Sequence, residues 1–252
     1  MPSVVIDNKK YHYSAGVPQI DFNQAILFVH GAGGSHRHWI YQVAGLGQKY
    51  LTLAVDLPGH GESEGNACNE IDDYSSFIYD FVERVLGTPF YLAGHSMGGA
   101  IAMHFATRFP EMLKGLILIG TGARLRVAPA ILNAFAAGQT FTEFVHLAYC
   151  SNAEAELLNQ ARQEMANTDP EIYYNDFLAC DRFDIMDRLQ AIKAPALVVG
   201  AAEDRLTPPK YSTFLADNIS NARLHIIARA GHMMMLENPT ETNQLIEEFI
   251  EE

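Results

Sequence analysis

The sequence predicts an α/β protein with a mostly parallel central sheet flanked by helices on both faces. Short apolar runs rich in Val, Ile, Leu or Tyr, each ending near Gly, Asp or His, recur at 26–29, 51–55, 90–93, 116–119, 196–199 and 224–227. Runs of this kind are expected of strands buried on both faces. Helical patterns at 71–86, 97–109, 209–216 and 240–250 alternate with them, and such alternation builds strand–helix–strand crossovers. With 252 residues, 48% of them hydrophobic, the chain can fill a sizeable core, so intrinsic disorder is excluded; length alone suits two small domains as well as one α/β domain with an insertion, and the single domain over 1–252 is the expectation adopted.

In chain order, Val4-Val5-Ile6, Asp7-Asn8-Lys9-Lys10 and Tyr11-His12-Tyr13 read as an antiparallel hairpin capping the sheet edge. The run at 26–29 leads into the glycine-rich His30-Gly31-Ala32-Gly33-Gly34-Ser35, and the run at 90–93 into Gly94-His95-Ser96-Met97-Gly98. From 124 to 190 the alternation stops. Helix-like stretches at 128–137, 142–149, 153–165 and 170–178 occupy this interval without a strand signal, so a helical insertion is expected to lie over the sheet as a lid. Its uncharged start, 127–142, carries Ile131, Leu132, Phe135 and Phe141, a face suited either to lining a pocket or to packing on the main domain.

Charge and cysteine usage narrow the partners. Seventeen basic and 30 acidic side chains give a net charge of −13, and Lys9-Lys10 is the one adjacent basic pair; nucleic acid and anionic membranes are therefore not expected to bind. The longest stretch without Asp, Glu, Lys or Arg, 85–107, holds Gly87, Pro89 and further glycines, which suits a buried strand and turn rather than a membrane span. No basic start followed by an apolar run marks a secretory signal. Cys68, Cys150 and Cys180 are odd in number and lack CxxC spacing, so a reducing, cytoplasmic setting and no cysteine metal site are expected.

The strongest chemical signal is G-x-S-x-G at Gly94-His95-Ser96-Met97-Gly98, between a predicted strand and a predicted helix. Small residues on either side permit a sharp turn that holds Ser96 out of the sheet at the positive end of the helix. A serine hydroxyl needs a base, and the base an orienting acid. Asp204 follows the run at 196–199 and His232 follows the last predicted strand. Glu203 is an alternative acid, but Gly200-x-x-x-Asp204-x-x-x-Pro208 favours its neighbour. The glycines at 31–34 suit an oxyanion-binding turn, with the backbone N–H groups of Ala32 and Met97 as expected donors. The same glycines fail as a phosphate loop, lacking a following Lys-Ser/Thr, and as a dinucleotide turn, lacking GxGxxG.

These stretches, together with Asp56-Leu57-Pro58-Gly59-His60-Gly61-Glu62-Ser63 and Gly231-His232 with Glu237 and Pro239, make the chain resemble the α/β-hydrolase superfamily over essentially its whole length. The resemblance implies the α/β-hydrolase fold and a Ser96–His232–Asp204 triad. Members with aspartate at the elbow are epoxide hydrolases and dehalogenases, so Ser96 argues for acyl chemistry. Carbon–carbon hydrolases commonly show Gly-Pro-Gly after the first His-Gly and Asn before the serine, where this chain has Ala32-Gly33-Gly34 and His95. The leading expectation is a serine esterase acting on small to medium uncharged acyl groups, with no cofactor and no metal. Carbon–carbon hydrolysis, thioester hydrolysis, acyl transfer and a ligand receptor on the same scaffold are the alternatives. Gly31, Gly33, Phe135, Phe141, Leu206 and Met233 are the expected substrate contacts. His36 and His38 read as surface histidines, His30, His60 and His95 as structural ones, Asp56 as the brace of its own turn, and Arg124 and Arg126 as partners of carboxylates in the insertion.

Overall fold

The computed structural model describes residues 2–19 and 24–252. Among these residues one eight-stranded sheet runs in the spatial order β1-β2-β4-β3-β5-β6-β7-β8. Its strands are β1 (Ser3–Ile6), β2 (Lys9–Gly16), β3 (Ala25–Val29), β4 (Leu51–Val55), β5 (Phe90–His95), β6 (Leu113–Ile119), β7 (Ala196–Ala201) and β8 (Ala222–Ile227). β1 and β2 are antiparallel and β2 pairs antiparallel with β4, whereas β4, β3 and β5 to β8 are all parallel. The hairpin connection is tighter than the sequence predicts. Asp7 (φ 48°) and Asn8 (φ 63°) make a two-residue turn, and Lys9 and Lys10 already pair with Ile6 and Val5; short polar side chains tolerate the left-handed backbone that such turns need.

The helices are α1 (Ile40–Leu46), α2 (Ile71–Val85), α3 (Met97–Arg108), α4 (Pro129–Ala136), α5 (Val145–Ala148), α6 (Ala155–Asn167), α7 (Pro170–Arg182), α8 (Pro209–Asn218), α9 (Met234–Glu237) and α10 (Pro239–Glu251). Alternation along the strands divides the core. Leu27 and Val29 of β3 pack with α2 and α3, while Ile26 and Phe28 face Trp39 and Val43 on the opposite side. Each large apolar side chain fully buried in this way stabilises the fold by about 1.5–3 kcal/mol. One reading fails at the sheet edge. The run at 224–227 is expected to be buried on both faces, yet Leu224 is 40% exposed: β8 is the edge strand with β7 alone as a neighbour, and both of its faces are only partly covered before Ile227.

α4 to α7 all lie between β6 and β7, and an isolated bridge between Arg124 and Asp184 closes the base of this insertion. α7 extends four residues beyond the predicted 178, to Arg182; Asp169 caps its start by accepting from the Glu171 N–H at 2.9 Å, with Pro170 at the first helical position.

Chain order sets where a ligand can enter. β3 leads outward to β4, and the chain returns to form β5 on the other side of β3, so the loops leaving β3 and β5 diverge at a topological switch point, with Val29 and Gly94 as register partners. The elbow fits here because of its glycines. A Cβ on Gly94 would come within 2.1 Å of the Gly98 carbonyl oxygen, and one on Gly98 within 2.2 Å of that of Val29. Gly98→Ala is accordingly expected to cost at least about 3 kcal/mol by overpacking backbone on backbone. Gly87→Ala, at φ +64° but in open space, should cost only about 1–2 kcal/mol. Urea midpoints at constant slope test the contrast; equal losses would contradict the packing argument.

Candidate active site

Ser96 adopts φ 53°, ψ −116°. Among the described residues it shares positive φ with just two other non-glycine residues, Asp7 and Asn8 of the hairpin. The strain is held from both sides: the Ser96 N–H donates to the Ile119 carbonyl at 3.0 Å, and the Ser96 carbonyl accepts from the Thr121 hydroxyl at 2.7 Å. The side chain therefore leaves β5 at the N-terminus of α3, where helix amides favour negative charge.

His232 follows β8 and is 4% exposed. Its Nδ1 lies 2.9 Å from Asp204 Oδ2, and its backbone carbonyl meets His95 Nε2 at 3.0 Å. Asp204 also accepts from the Leu206 and Thr207 N–H groups at 2.9 and 2.8 Å and from the Thr207 hydroxyl at 2.8 Å. Burial disfavours the Asp204 carboxylate, but His232 and these Thr207 donors outweigh it and hold its pKa below the ordinary value. A carboxylate so furnished fixes the imidazole with Nδ1–H toward it and leaves Nε2 as the acceptor. Glu203 points elsewhere, accepting from the N–H and hydroxyl of Ser151 at 3.0 and 2.8 Å. Thr207 was missed in the sequence, although Asp204-x-x-Thr207 is a recognisable Asx-type turn.

Ser96, His232, Gly31, Ala32, Gly33, Leu206 and Met233 line one cavity of about 190 Å³. Met97 is wholly buried at the head of α3. The cavity's far wall comes from the insertion, including Ile131, Phe144, Val145, Met165 and Tyr173. Two expected contacts are corrected. Phe141 is 42% exposed and lies outside the wall, because the chain turns at Gly138 (φ +71°) after α4 and carries Phe144 inward instead. Phe135 is 2% exposed but sits behind the wall, stacked 5.0 Å from Tyr173; here packing on neighbours, the alternative raised for this apolar face, prevails.

The remaining histidines divide by partner. His30 Nδ1 meets the Gly31 carbonyl at 2.8 Å while its Nε2 accepts from the Leu57 N–H at 3.1 Å. His36 and His38 are not surface histidines: His36 Nδ1 is 3.0 Å from Asp56, and His38 Nε2 is 3.6 Å from Glu164 of α6. Their carboxylate partners are distant in sequence and near in space. His12, His36 and Asp56 bring potential metal-ligand atoms within 4.8 Å of one another. Asp56 is nevertheless occupied as a brace, accepting also from the backbone of His36 and Glu62 at 2.6 and 3.1 Å. Arg124 lies 3.6 Å from Asp184; Arg126 approaches the same carboxylate at 4.0 Å and donates to the Asp181 carbonyl, though it also reaches the cavity wall.

The fold agrees with the comparisons. The model of the alpha/beta hydrolase family matches residues 26–245, and the chain belongs to that family of hydrolases. It is 29% identical over 253 residues to a 2-hydroxy-6-oxononadienedioate/2-hydroxy-6-oxononatrienedioate hydrolase of Burkholderia vietnamiensis, covering 90% of this chain and 87% of that one. It is 26% identical to a pimeloyl-[acyl-carrier protein] methyl ester esterase of Neisseria meningitidis, covering 92% and 95%. Among solved structures, a thermophilic esterase superposes with a TM-score of 0.87 at 30% identity, covering 99% and 96%. Among the described residues no helix is long and apolar enough to cross a membrane.

Burial holds His30 and His95 well below the ordinary histidine pKa. Below about pH 6.5 the unfolded chain gains both protons and the native state resists them, so stability falls with pH, on the order of 1 kcal/mol per unit for each of the two. His60 acts in the opposite sense: burial opposes its charge, the Asp176 carboxylate prevails, and its pKa is raised. Its stabilisation is complete below pH ~6.5 and is lost only as pH rises through the folded value. Unfolding free energies between pH 7 and 5 should therefore decline, and His95→Gln should make that decline shallower; an unchanged slope would show that His95 is not neutral in the fold.

Proposed function

We propose that this protein is a serine esterase that hydrolyses carboxylic esters of small to medium uncharged acyl groups through an acyl-enzyme. The observation carrying this reading is the sharing of one cavity by the strained Ser96 and by His232, whose Nδ1 is held 2.9 Å from buried Asp204. In this reading Ser96 Oγ attacks the ester carbonyl as His232 Nε2 takes its proton, and Asp204 stabilises the resulting imidazolium. The N–H groups of Ala32 and Met97 receive the oxyanion. His232 then protonates the departing alcohol, and the same base activates water to release the acid.

The insertion acts as a lid over the site, roofing it with apolar side chains that favour uncharged acyl groups. The alternative with a specific observation behind it is carbon–carbon bond hydrolysis, since the Burkholderia relative is named for a keto-dienedioate substrate. Arg126, at the cavity wall, is the residue that could meet such a carboxylate.

Chromogenic esters of graded acyl length, beside a dicarboxylate monoester and a vinylogous 1,5-diketone, discriminate these readings. The neutral esters should give the highest kcat/KM. A preference for the monoester or diketone that disappears in Arg126→Ala would overturn the neutral-ester assignment. Ser96→Ala should lower turnover by at least roughly 10⁴-fold and abolish phosphonate labelling.

Asp204→Asn should cost on the order of 10⁴-fold in kcat by releasing the imidazole tautomer, while Glu203→Gln should stay within about tenfold, losing one hydrogen-bonded charge at the surface. The opposite ranking would move the acid to Glu203.

A further inference from the structure

Asp176 stands in the middle of α7, 80 residues after Ser96, with its side chain wholly buried. Its Oδ2 accepts from the Gly33 N–H at 2.7 Å and from His60 Nε2 at 2.8 Å, and its Oδ1 accepts from the Tyr74 hydroxyl at 2.5 Å. The direction of the Tyr74 bond is fixed from behind, because the Tyr74 oxygen itself accepts from the Cys68 N–H at 2.9 Å. The other nitrogen of His60 faces the Pro58 carbonyl at 3.0 Å. Both ring nitrogens thus meet acceptors, which requires both to carry protons. A buried carboxylate with three donors, one of them a cationic imidazole, is a firm point to which a loop can be tied.

The loop tied to it is the glycine turn after β3. The Gly34 N–H closes this turn on the Gly31 carbonyl at 3.1 Å, leaving Ala32 and Gly33 as its central residues, with Gly33 at φ +64°. α7 meets the turn twice from one face, three residues apart. Asp176 holds the Gly33 amide, and a Cβ on Gly33 would lie 2.0 Å from the Tyr173 ring. The turn is pulled against a wall and cannot shift toward the insertion.

We propose that Asp176 is a positioning residue: from the insertion it pins the Gly33 peptide and so fixes the direction in which the neighbouring Ala32 N–H meets the reacting carbonyl oxygen. This rests on the esterase reading. Asp176 touches no substrate and acts through the turn, so its loss should weaken binding of the oxyanion far more than binding of the ester. Losing one oxyanion donor lowers kcat by about 10²–10³-fold, and a misaimed donor should cost at least about tenfold.

The test compares Asp176→Ala with Asp176→Asn, whose amide oxygen can still accept from Gly33 and His60. Rates are normalised to the sites titrated by a serine-directed phosphonate. Asp176→Ala should show kcat per titrated site at least tenfold below wild type with KM within threefold. Its inhibition constant for a trifluoromethyl ketone, which takes up the serine oxygen to form a hemiketal oxyanion, should rise at least tenfold. Asp176→Asn should recover most of kcat. Retention of kcat within threefold in folded Asp176→Ala, or a loss of kcat without weaker ketone binding, would overturn the proposal.

Amide exchange across residues 31–35 gives a reading that survives failure of the alanine variant to fold. The Gly33 amide should be protected in the wild-type protein, and exchange at the unprotected rate would remove the pin itself. Absence of phosphonate labelling in wild type would instead strike the esterase reading, with the exchange result still deciding whether Asp176 holds the turn.

Discussion

The backbone of Ser96 is the constraint around which the site is organised. A non-glycine residue at φ 53° is costly, by an amount on the order of 1–3 kcal/mol, and persists because its surroundings over-determine it. α3 lies so close to β5 that Gly94 has no room for a Cβ, and so close to the end of β3 that Gly98 has none either, and the peptide groups of Ser96 are hydrogen-bonded to Ile119 and Thr121 on the β6 side. The glycines are thus a consequence of the strain at the serine as much as its enabling condition. Because β3 and β5 are neighbours with a reversal of strand order between them, the glycine turn after β3 necessarily borders the strained serine.

The helical insertion is joined to this frame by polar contacts at distinct points. Asp176 holds Gly33, Glu203 holds the backbone and hydroxyl of Ser151, and Glu237 accepts from both the Gly231 and Cys150 N–H groups at 2.8 and 2.6 Å. The last contact ties the loop carrying His232 to the insertion. These are charge-assisted hydrogen bonds to backbone amides, which combine strength with direction. They explain how a segment with little β-structure of its own is seated against a sheet at defined heights.

Much of this was legible in the sequence for a physical reason. Strands buried on both faces must be apolar throughout, so 26–29, 51–55, 90–93, 116–119 and 196–199 announce themselves, and loops at their C-terminal ends must carry the polar chemistry. Glycines with fixed spacing report close backbone approach directly. What was not legible depends on contacts across long stretches of chain. Gly33 and Asp176 are separated by 143 positions, and His60 and Asp176 by 116; a polar residue in mid-helix looks like any solvated one until the helix is docked. β8 has the composition of an inner strand at an outer position, and Phe141 differs from Phe144 only in which way a short 3-10 turn, Thr142–Phe144, carries it.

The turn that misdirects Phe141 has a meaning for how this fold can diversify. Around Gly138 nothing approaches within 4 Å of where a side chain would begin, in contrast to the crowded glycines beside Ser96. Residues added or removed there would meet solvent rather than packed neighbours. The insertion is therefore anchored by α7 and by the Tyr149–Cys150 backbone, yet open-ended between α4 and α5. Changes in chain length at that open end can redraw the outline of the cavity while Ser96, His232 and Asp204, which stand on the sheet's own loops, keep their places.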